Sequence, residues 1–316
     1  RSKLPGKSWL ISAVRQILRD RREKLLASEP THPEMQRLEL KVTATTGIAG
    51  VNVRGSTIQG PARMNPFQKH ELEGDALMTF EEEWRDTGGL IIDEISMLGQ
   101  MKWGWLSRRM KQLCKDRRYA DHALGNMNII IFGDHGQLPP VNDYVASEQP
   151  PRSGDQAWRA LRNEGRAAYF SFHDIVQLTT VKRLDSSDPE AERFSQVLLE
   201  ARESKITKES NEWLRQRQIR HLSPKEQAEF RKTATRLYHK NEDFHNLHRL
   251  IQMKQPITVL RGEHNCKSAR RKKRSDFEGL PDELFVAEGA EIILRSNVWT
   301  EMGLANGARG VIREIV

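Results

Sequence analysis

Two short apolar runs, neither broken by polar alternation, mark the middle of the chain. Leu90, Ile91 and Ile92 form the first, and residues 129–132 form the second. A strand that covers a core on one face alternates in polarity; an unbroken run fits a parallel strand buried on both faces. Each run stops abruptly in polar groups, Asp93 and Glu94 after the first, Asp134 and Gln137 after the second. Open α/β sheets gather their ligand chemistry at such carboxyl ends. An alternating stretch, Leu38, Leu40 and Val42, predicts a further strand leading into residues 43–47.

Helical spacing appears elsewhere. Trp9, Leu10, Ile11, Val14, Ile17 and Leu18 predict a helix over about 7–28, and further helices are expected near 99–118 and 154–163. Trp103 and Trp105 read as packing aromatics, and Ser96 and Met97 as turn and packing residues. Phe194, Val197, Leu198 and Ala201 predict a helix over 189–203 that buries all four. Another helix is expected near 211–220, and a strand over 257–260. Residues 142–154 read as an exposed connection, and Asn306-Gly307 as a tight hairpin. The chain shows no internal repeat.

The start of the first helix carries candidate chemistry. Gly6, Lys7 and Ser8 open it, the closing half of a phosphate-binding loop. In such a loop the lysine reaches terminal phosphates, the serine hydroxyl helps hold magnesium, and helix-end N–H groups bind anionic oxygens. The full pattern has a glycine five positions before Gly6, where this chain has Arg1, and Pro5 offers no N–H. Two strands presenting carboxylates and an amide beside such a lysine describe a nucleotide-hydrolysing site. A solvated strand end is the bland alternative for Asp93-Glu94.

Composition narrows the partners. The formal charge of +8 favours a polyanion. The densest basic run, residues 270–274, is open to three readings: a solvated loop, a nuclear import signal or an extra DNA contact. Cys114 and Cys266 lie far apart and suggest a reducing compartment without a disulfide framework. His239, His245 and His248 have too few partners for a zinc site. No apolar run approaches the roughly 20 residues of a membrane span, so no membrane partner is expected. Hydrophobic content of 37% is low, yet sufficient for two cores over 316 residues.

Four strings, TATTGIAGVNVRGST, LIIDEISM, GDHGQLPPV and EIILRSNVWTEMGLANGARGVI, occur in that order. Together they resemble the motifs of the petite-integration-frequency helicases, superfamily-one relatives of the bacterial RecD helicases. The matches span nearly the whole chain. The resemblance implies a P-loop, RecA-like parallel sheet with helices on both faces, followed by an incomplete second RecA-like domain. It implies a DNA helicase that couples ATP hydrolysis to 5′→3′ movement on single-stranded DNA and unwinds duplex junctions. Its expected cofactors are ATP and Mg2+, and its expected work is DNA repair, recombination or telomere maintenance. A nuclear or mitochondrial location would follow in a eukaryote, and protein partners are not implied.

Residue roles follow from the same resemblance. Gly6, Lys7 and Ser8 would contact the nucleotide, with Ser8 and Asp93 holding magnesium. Glu94 would orient and deprotonate the attacking water, and Gln137 would sense the terminal phosphate. Arg183 would reach that phosphate from the second domain, a type of contact worth on the order of 10³–10⁵ in rate in related NTPases. A surface arginine capping a strand is the alternative there, since Leu184 stands where the family commonly has glutamine. Thr45, Thr46, Gly47, Ser56 and Thr57 would contact DNA, as would Asn297 and Asn306 near the end of the chain. Gln59 takes the place of a common family histidine.

On this reading the first motor domain covers residues 1–178 and the second 179–316. The chain reads as a fragment at both ends, short of a strand before Gly6 and of the last family motif after Val316. Two rivals carry the same motifs: a DNA-binding pseudo-helicase with impaired catalysis, and the helicase module of a rolling-circle transposon. The QLPPV string argues against a metabolic kinase or a protein-remodelling ATPase.

Overall fold

The computed structural model describes residues 6–28, 39–64, 71–114, 117–119, 121–179, 187–234, 250–251, 253–263, 266, 269, 282–296, 298–299, 302–304 and 306–315. Arg1, Pro5, Leu38, Arg183, Leu184, residues 270–274, Asn297 and the three histidines of the rejected zinc site lie outside them. The chain divides into two compact units, residues 1–206 with 296–306, and residues 207–295 with 307–316.

The first unit is built on four parallel strands in the order β2-β1-β3-β4. These are β1 (Glu39–Ala44), β2 (Ser56–Thr57), β3 (Thr87–Asp93) and β4 (Asn128–Ile131). The helices are α1 (Gly6–Ser28), α2 (Gly47–Asn52), α3 (Gly74–Glu83), α4 (Gln100–Gln112), α5 (Gln156–Tyr169) and α6 (Pro189–Arg202). Leu90, Ile91 and Ile92 are wholly buried, as an unbroken apolar run requires. Successive side chains of a strand point to opposite faces. Ile91 accordingly joins Ile11 of α1, Val42, Val53 and Phe132 on one side of the sheet. On the other side Leu90 and Ile92 join Phe80, Trp84, Trp103, Leu106 and Leu161. The RecA-like layering expected from the sequence is present.

The second apolar run departs from expectation. Ile130 is 40% exposed and its neighbours only half-buried, so β4 is not covered on both faces. It is the last strand of the described sheet and has a β neighbour on one side alone.

Helix α3 has no counterpart among the sequence expectations, although Leu77, Phe80 and Trp84 lie at helical spacing; Phe80 and Trp84 are both buried. Trp84 Nε1 donates to the Pro61 carbonyl at 3.0 Å. The Trp103 and Trp105 side chains are buried as expected, Trp103 packing edge-on against Tyr169 and Phe172. Helix α4 stops short of residue 118, whereas α5 runs beyond residue 163 to Tyr169. The 142–154 connection is mostly exposed but tethered: Asp143 Oδ2 accepts from the Met101 N–H at 2.9 Å, and the Gln100 amide donates to the carbonyls of Val145 and Glu148.

In α6, Asp188 caps the N-terminus and Pro189 fills the first turn. Of the four residues expected to be buried there, only Val197 is; Phe194 and Leu198 are 39% and 49% exposed, and Ala201 is also exposed. The helix therefore buries one apolar position rather than a broad apolar stripe.

In the second unit, α7 (Lys208–Arg215) ends well before residue 220, and α8 (Pro224–Thr233) follows behind a capping box of Ser223 and Glu226. Strand β5 (Thr258–Arg261) pairs antiparallel with β6 (Glu283–Val286), and β7 (Glu291–Ile293) with β8 (Arg309–Val311). Asn306-Gly307 does not make a two-residue turn. Gly307, at φ 92°, lies on the return arm of a long loop, its N–H donating to the Leu294 carbonyl at 2.7 Å.

Helices α4 and α5 cross at paired glycines. A Cβ on Gly165 would sit 1.8 Å from the Gln100 carbonyl oxygen, and one on Gly104 would sit 2.2 Å from that of Leu161. Beside the crossing, Arg108 and Glu164 form a two-pronged ion pair at 2.7 and 2.8 Å. Gly165→Ala is therefore expected to lower unfolding stability by about 2–3 kcal/mol, as overpacking does. Gly60→Ala, with no atom nearer than 3.7 Å, should stay within about 0.5 kcal/mol. Urea unfolding of both variants makes the comparison, and equal midpoints would contradict the close-crossing account.

Candidate nucleotide site and sensor loop

Strands β1 and β3 run in parallel register, with Ala44 opposite Asp93, so their carboxyl ends lie side by side. Asp93 closes β3 and is 4% exposed. Glu94, the next residue, adopts the left-handed conformation (φ 56°, ψ 47°). That backbone is strained for a side-chain-bearing residue by about 1 kcal/mol or more and needs external support. The support comes from three directions. Thr45 N–H donates to the Asp93 carbonyl at 3.2 Å, and Thr45 Oγ1 to the Glu94 carbonyl at 2.9 Å. Ile95 N–H donates to the Phe132 carbonyl at 3.0 Å, tying the turn to the end of β4. Glu94 N–H donates to Asp93 Oδ1 at 2.9 Å.

Helix α1 brings the lysine. Ile11 anchors the helix on the sheet, and one turn earlier Lys7 Nζ stands 3.1 Å from Glu94 Oε1 and 3.9 Å from Asp93 Oδ1. Gly6 opens this 23-residue helix and Ser8 follows Lys7 in its first turn, at the positive end of the helix dipole. Burial pushes the Asp93 carboxyl above its ordinary range, outweighing the Glu94 N–H and the Lys7 charge. Oε2 of Glu94 is buried and lacks a protein hydrogen-bond partner among the described residues.

A cleft of about 580 Å³ opens beside Glu94. Thr46, Asn52, Ser96 and Met97 line it on the side of α2 and the β3 turn, and Gln137 and Pro139 on the other. Gln137 follows β4 in a loop stapled by Asp134, whose Oδ1 accepts from Gly136 N–H at 3.0 Å and whose carbonyl accepts from Gln137 N–H at 3.0 Å. Arg202 of α6 grips the same carboxylate with both terminal nitrogens, at 2.5 and 3.0 Å. Partial burial works to raise the Asp134 carboxyl, but the Gly136 N–H, the Arg202 guanidinium and the Gln137 side chain together hold it below its usual value.

Several anticipated residues thus meet at one edge. Lys7, Asp93 and Glu94 are in contact, and Glu94 shares its cleft with Gln137 and Thr46. Thr46 caps α2, its Oγ1 accepting from Ala49 N–H at 3.3 Å. Thr45 and Gly47 are buried, and the Thr45 hydroxyl is engaged with Glu94. Ser56 and Thr57 form the short β2 at the sheet edge, half-buried. Asn306 is exposed in the long loop before β8, while Arg183 and Asn297 fall outside the described residues. Ser96 and Met97 line the cleft as well as packing the turn. Arg202 was not anticipated: it lies 68 residues beyond Asp134, and no local pattern in the sequence marks it.

The donor set fits a magnesium–nucleoside triphosphate. A lysine and a helix N-terminus face two carboxylates, one with a bare buried oxygen. Magnesium bound with phosphates needs only one or two protein ligands, which Ser8 and Asp93 could supply. Among the described residues there is no cluster of three or more His, Cys, Asp or Glu side chains that could hold a metal ion.

Comparison with known proteins places this geometry. The PIF1-like helicase family matches residues 32–212, a stretch that includes Asp93, Glu94 and Gln137 but begins after Lys7. The ATP-dependent DNA helicase Pif1 of Bdellovibrio bacteriovorus is 24% identical over 321 residues, covering 98% of this chain and 62% of that protein. Among solved structures, the Pif1 helicase from Candida albicans aligns with a TM-score of 0.55 at 21% identity, over 98% of this chain and 63% of its own. The Bacteroides Pif1 helicase in complex with ADP-AlF3 and ssDNA aligns at 0.50 and 21% identity, over 88% of this chain and 60% of its own. The chain thus spans less than two thirds of the length of these relatives. With more than half of its residues matched to the family, and a parallel sheet that carries the same fold, the chain belongs to the PIF1-like helicases.

Proposed function

We propose that the protein serves as an ATP-dependent DNA helicase motor, using ATP hydrolysis to move 5′→3′ along single-stranded DNA and to open duplex junctions. One observation carries the reading: Lys7 lies 3.1 Å from Glu94, and Glu94 opens on the same cleft as Gln137. A basic phosphate ligand, a candidate base and a candidate phosphate sensor are therefore within reach of one bound nucleotide. The family membership and the names of the relatives, ATP-dependent DNA helicases, support the same reading. A Bacteroides relative has been solved with ADP-AlF3 and ssDNA.

In this proposal Lys7 leaves Glu94 for the phosphate oxygens when nucleotide enters, with the first-turn N–H groups of α1 beside it. Ser8 and Asp93 would hold magnesium, which would supply positive charge against the phosphates. Glu94, freed from the ammonium, accepts a proton from the attacking water through its buried Oε2. Gln137 donates to the terminal phosphate from across the cleft, so that loss of that phosphate releases the 134–137 loop. Thr46, Ser56 and Thr57 contact DNA phosphates and sugars without reading bases, as does Asn306. The first motor domain covers residues 1–178 and the second starts at 179, with Arg183 reaching back to the phosphate. Work in DNA repair, recombination or telomere maintenance follows from the family resemblance.

Glu94→Gln should lower single-stranded-DNA-stimulated ATP hydrolysis by about 10²-fold or more, with ATP affinity held within roughly threefold by fluorescent-nucleotide titration. Retained turnover would remove Glu94 as the base. Lys7→Ala should instead weaken ATP binding itself, by about tenfold for the loss of one charge-assisted contact; unchanged binding would detach α1 from the site. Gln137→Ala should keep nucleotide and DNA binding, slow hydrolysis by about tenfold or more, and lose strand displacement by a larger factor still. Equal loss of binding and turnover would argue against its sensor role.

A further inference from the structure

We infer that Arg202 is a positioning residue for the phosphate sensor, holding the Gln137 loop in its working shape through Asp134. The inference deepens the proposed motor function and rests on it. Three features converge on it. The guanidinium makes two parallel contacts to the Asp134 carboxylate, at 2.5 and 3.0 Å, a geometry that fixes orientation as well as distance. It also lies flat against Gly136, where an added Cβ would come 2.9 Å from Nε and 3.0 Å from Cζ. The absence of a side chain at position 136 thus leaves the space that the arginine fills. Lastly, Asp134 passes the constraint onward, because its Oδ1 also accepts from the Gly136 N–H and its main-chain carbonyl from the Gln137 N–H, each at 3.0 Å.

The second side of the loop is held separately. His135 Nε2 and the Tyr169 hydroxyl of α5 are 3.0 Å apart, and those rings stack edge to face. Tyr169 fixes the middle of the loop to the core helices, whereas Arg202 fixes Asp134, whose main-chain carbonyl accepts from the Gln137 N–H. Of these two contacts the Arg202 one comes from α6, so a shift of that helix would act on the Gln137 loop through the Arg202–Asp134 pair.

A set of variants, Arg202→Ala, Arg202→Lys, Asp134→Asn and Gln137→Ala, with the double Arg202→Ala/Gln137→Ala, tests this. Arg193→Ala, at a half-buried arginine earlier in α6 that donates to Gln196 and not to Asp134, is the control. In single-stranded-DNA-stimulated ATP hydrolysis, Arg202→Ala should lower kcat roughly tenfold, as a misplaced side chain does, with KM for ATP within about threefold. Arg202→Lys should recover part of that loss, since lysine restores charge but not the fork. The double variant should be no slower than Gln137→Ala alone, the signature of residues acting through one path. Full multiplication of the two losses, or an unchanged kcat in Arg202→Ala, would overturn the inference. Hydrogen exchange gives a reading that does not need turnover: the Gly136 amide should exchange at least roughly tenfold faster in Arg202→Ala and Asp134→Asn, and not in Arg193→Ala. If the unaltered protein hydrolyses no ATP, the motor proposal falls and exchange alone decides. Unchanged protection at Gly136 would then refute the positioning role.

Discussion

The geometry of the site depends on one turn, the left-handed backbone of Glu94 at the buried end of β3. Burying a carboxylate at the edge of an apolar core is unfavourable, and burial, with the Glu94 charge adding a little, pushes the Asp93 carboxyl above its ordinary range. A strained turn in the same place adds to it. The arrangement holds because β1 and the end of β4 supply hydrogen bonds to the backbone on either side, while Lys7 supplies positive charge. Strain that is over-determined by its surroundings and directs a carboxylate into a cleft is characteristic of functional sites.

That turn also explains why the sheet is arranged as it is. Thr45 can reach Glu94 only because β1 lies directly beside β3, and Ile95 can reach Phe132 only because β4 lies on the other side. Helix α1 lands Lys7 at the same edge because Ile11 packs on Ile91 and Val42, one layer below. The glycine crossing of α4 and α5 supports the opposite face. Fold and site are therefore one construction: the residues that fill the core set the distances between the charged groups.

Much of this was legible in the sequence. The unbroken Leu90-Ile91-Ile92 run signalled a doubly covered strand, and the acidic pair after it marked the strand end where a cleft opens. Gly6-Lys7-Ser8 and the apolar spacing after it signalled a helix start, and the lysine there does stand beside the acidic pair. What was not legible required distance in sequence or knowledge of neighbours. The apolar run of β4 resembles that of β3, yet nothing local reveals that β4 has a neighbour on one side alone among the described strands. Four apolar residues at helical spacing in α6 promised a broad buried stripe, but spacing does not say how much of a stripe is covered. Gly104 and Gly165 carry no local turn signal; their role appears only where two helices meet. Arg202 looks like any basic residue in a last helical turn, and its partner is remote in the chain.

The central claim is that Lys7, Asp93, Glu94 and Gln137 surround one nucleotide. A crystal structure of the protein grown with magnesium and a non-hydrolysable ATP analogue addresses it directly. The account predicts the phosphates at the start of α1, Lys7 Nζ moved from Glu94 to a phosphate oxygen, and the Gln137 amide at the terminal phosphate. Nucleotide bound elsewhere, with the Lys7–Glu94 contact intact, would contradict it.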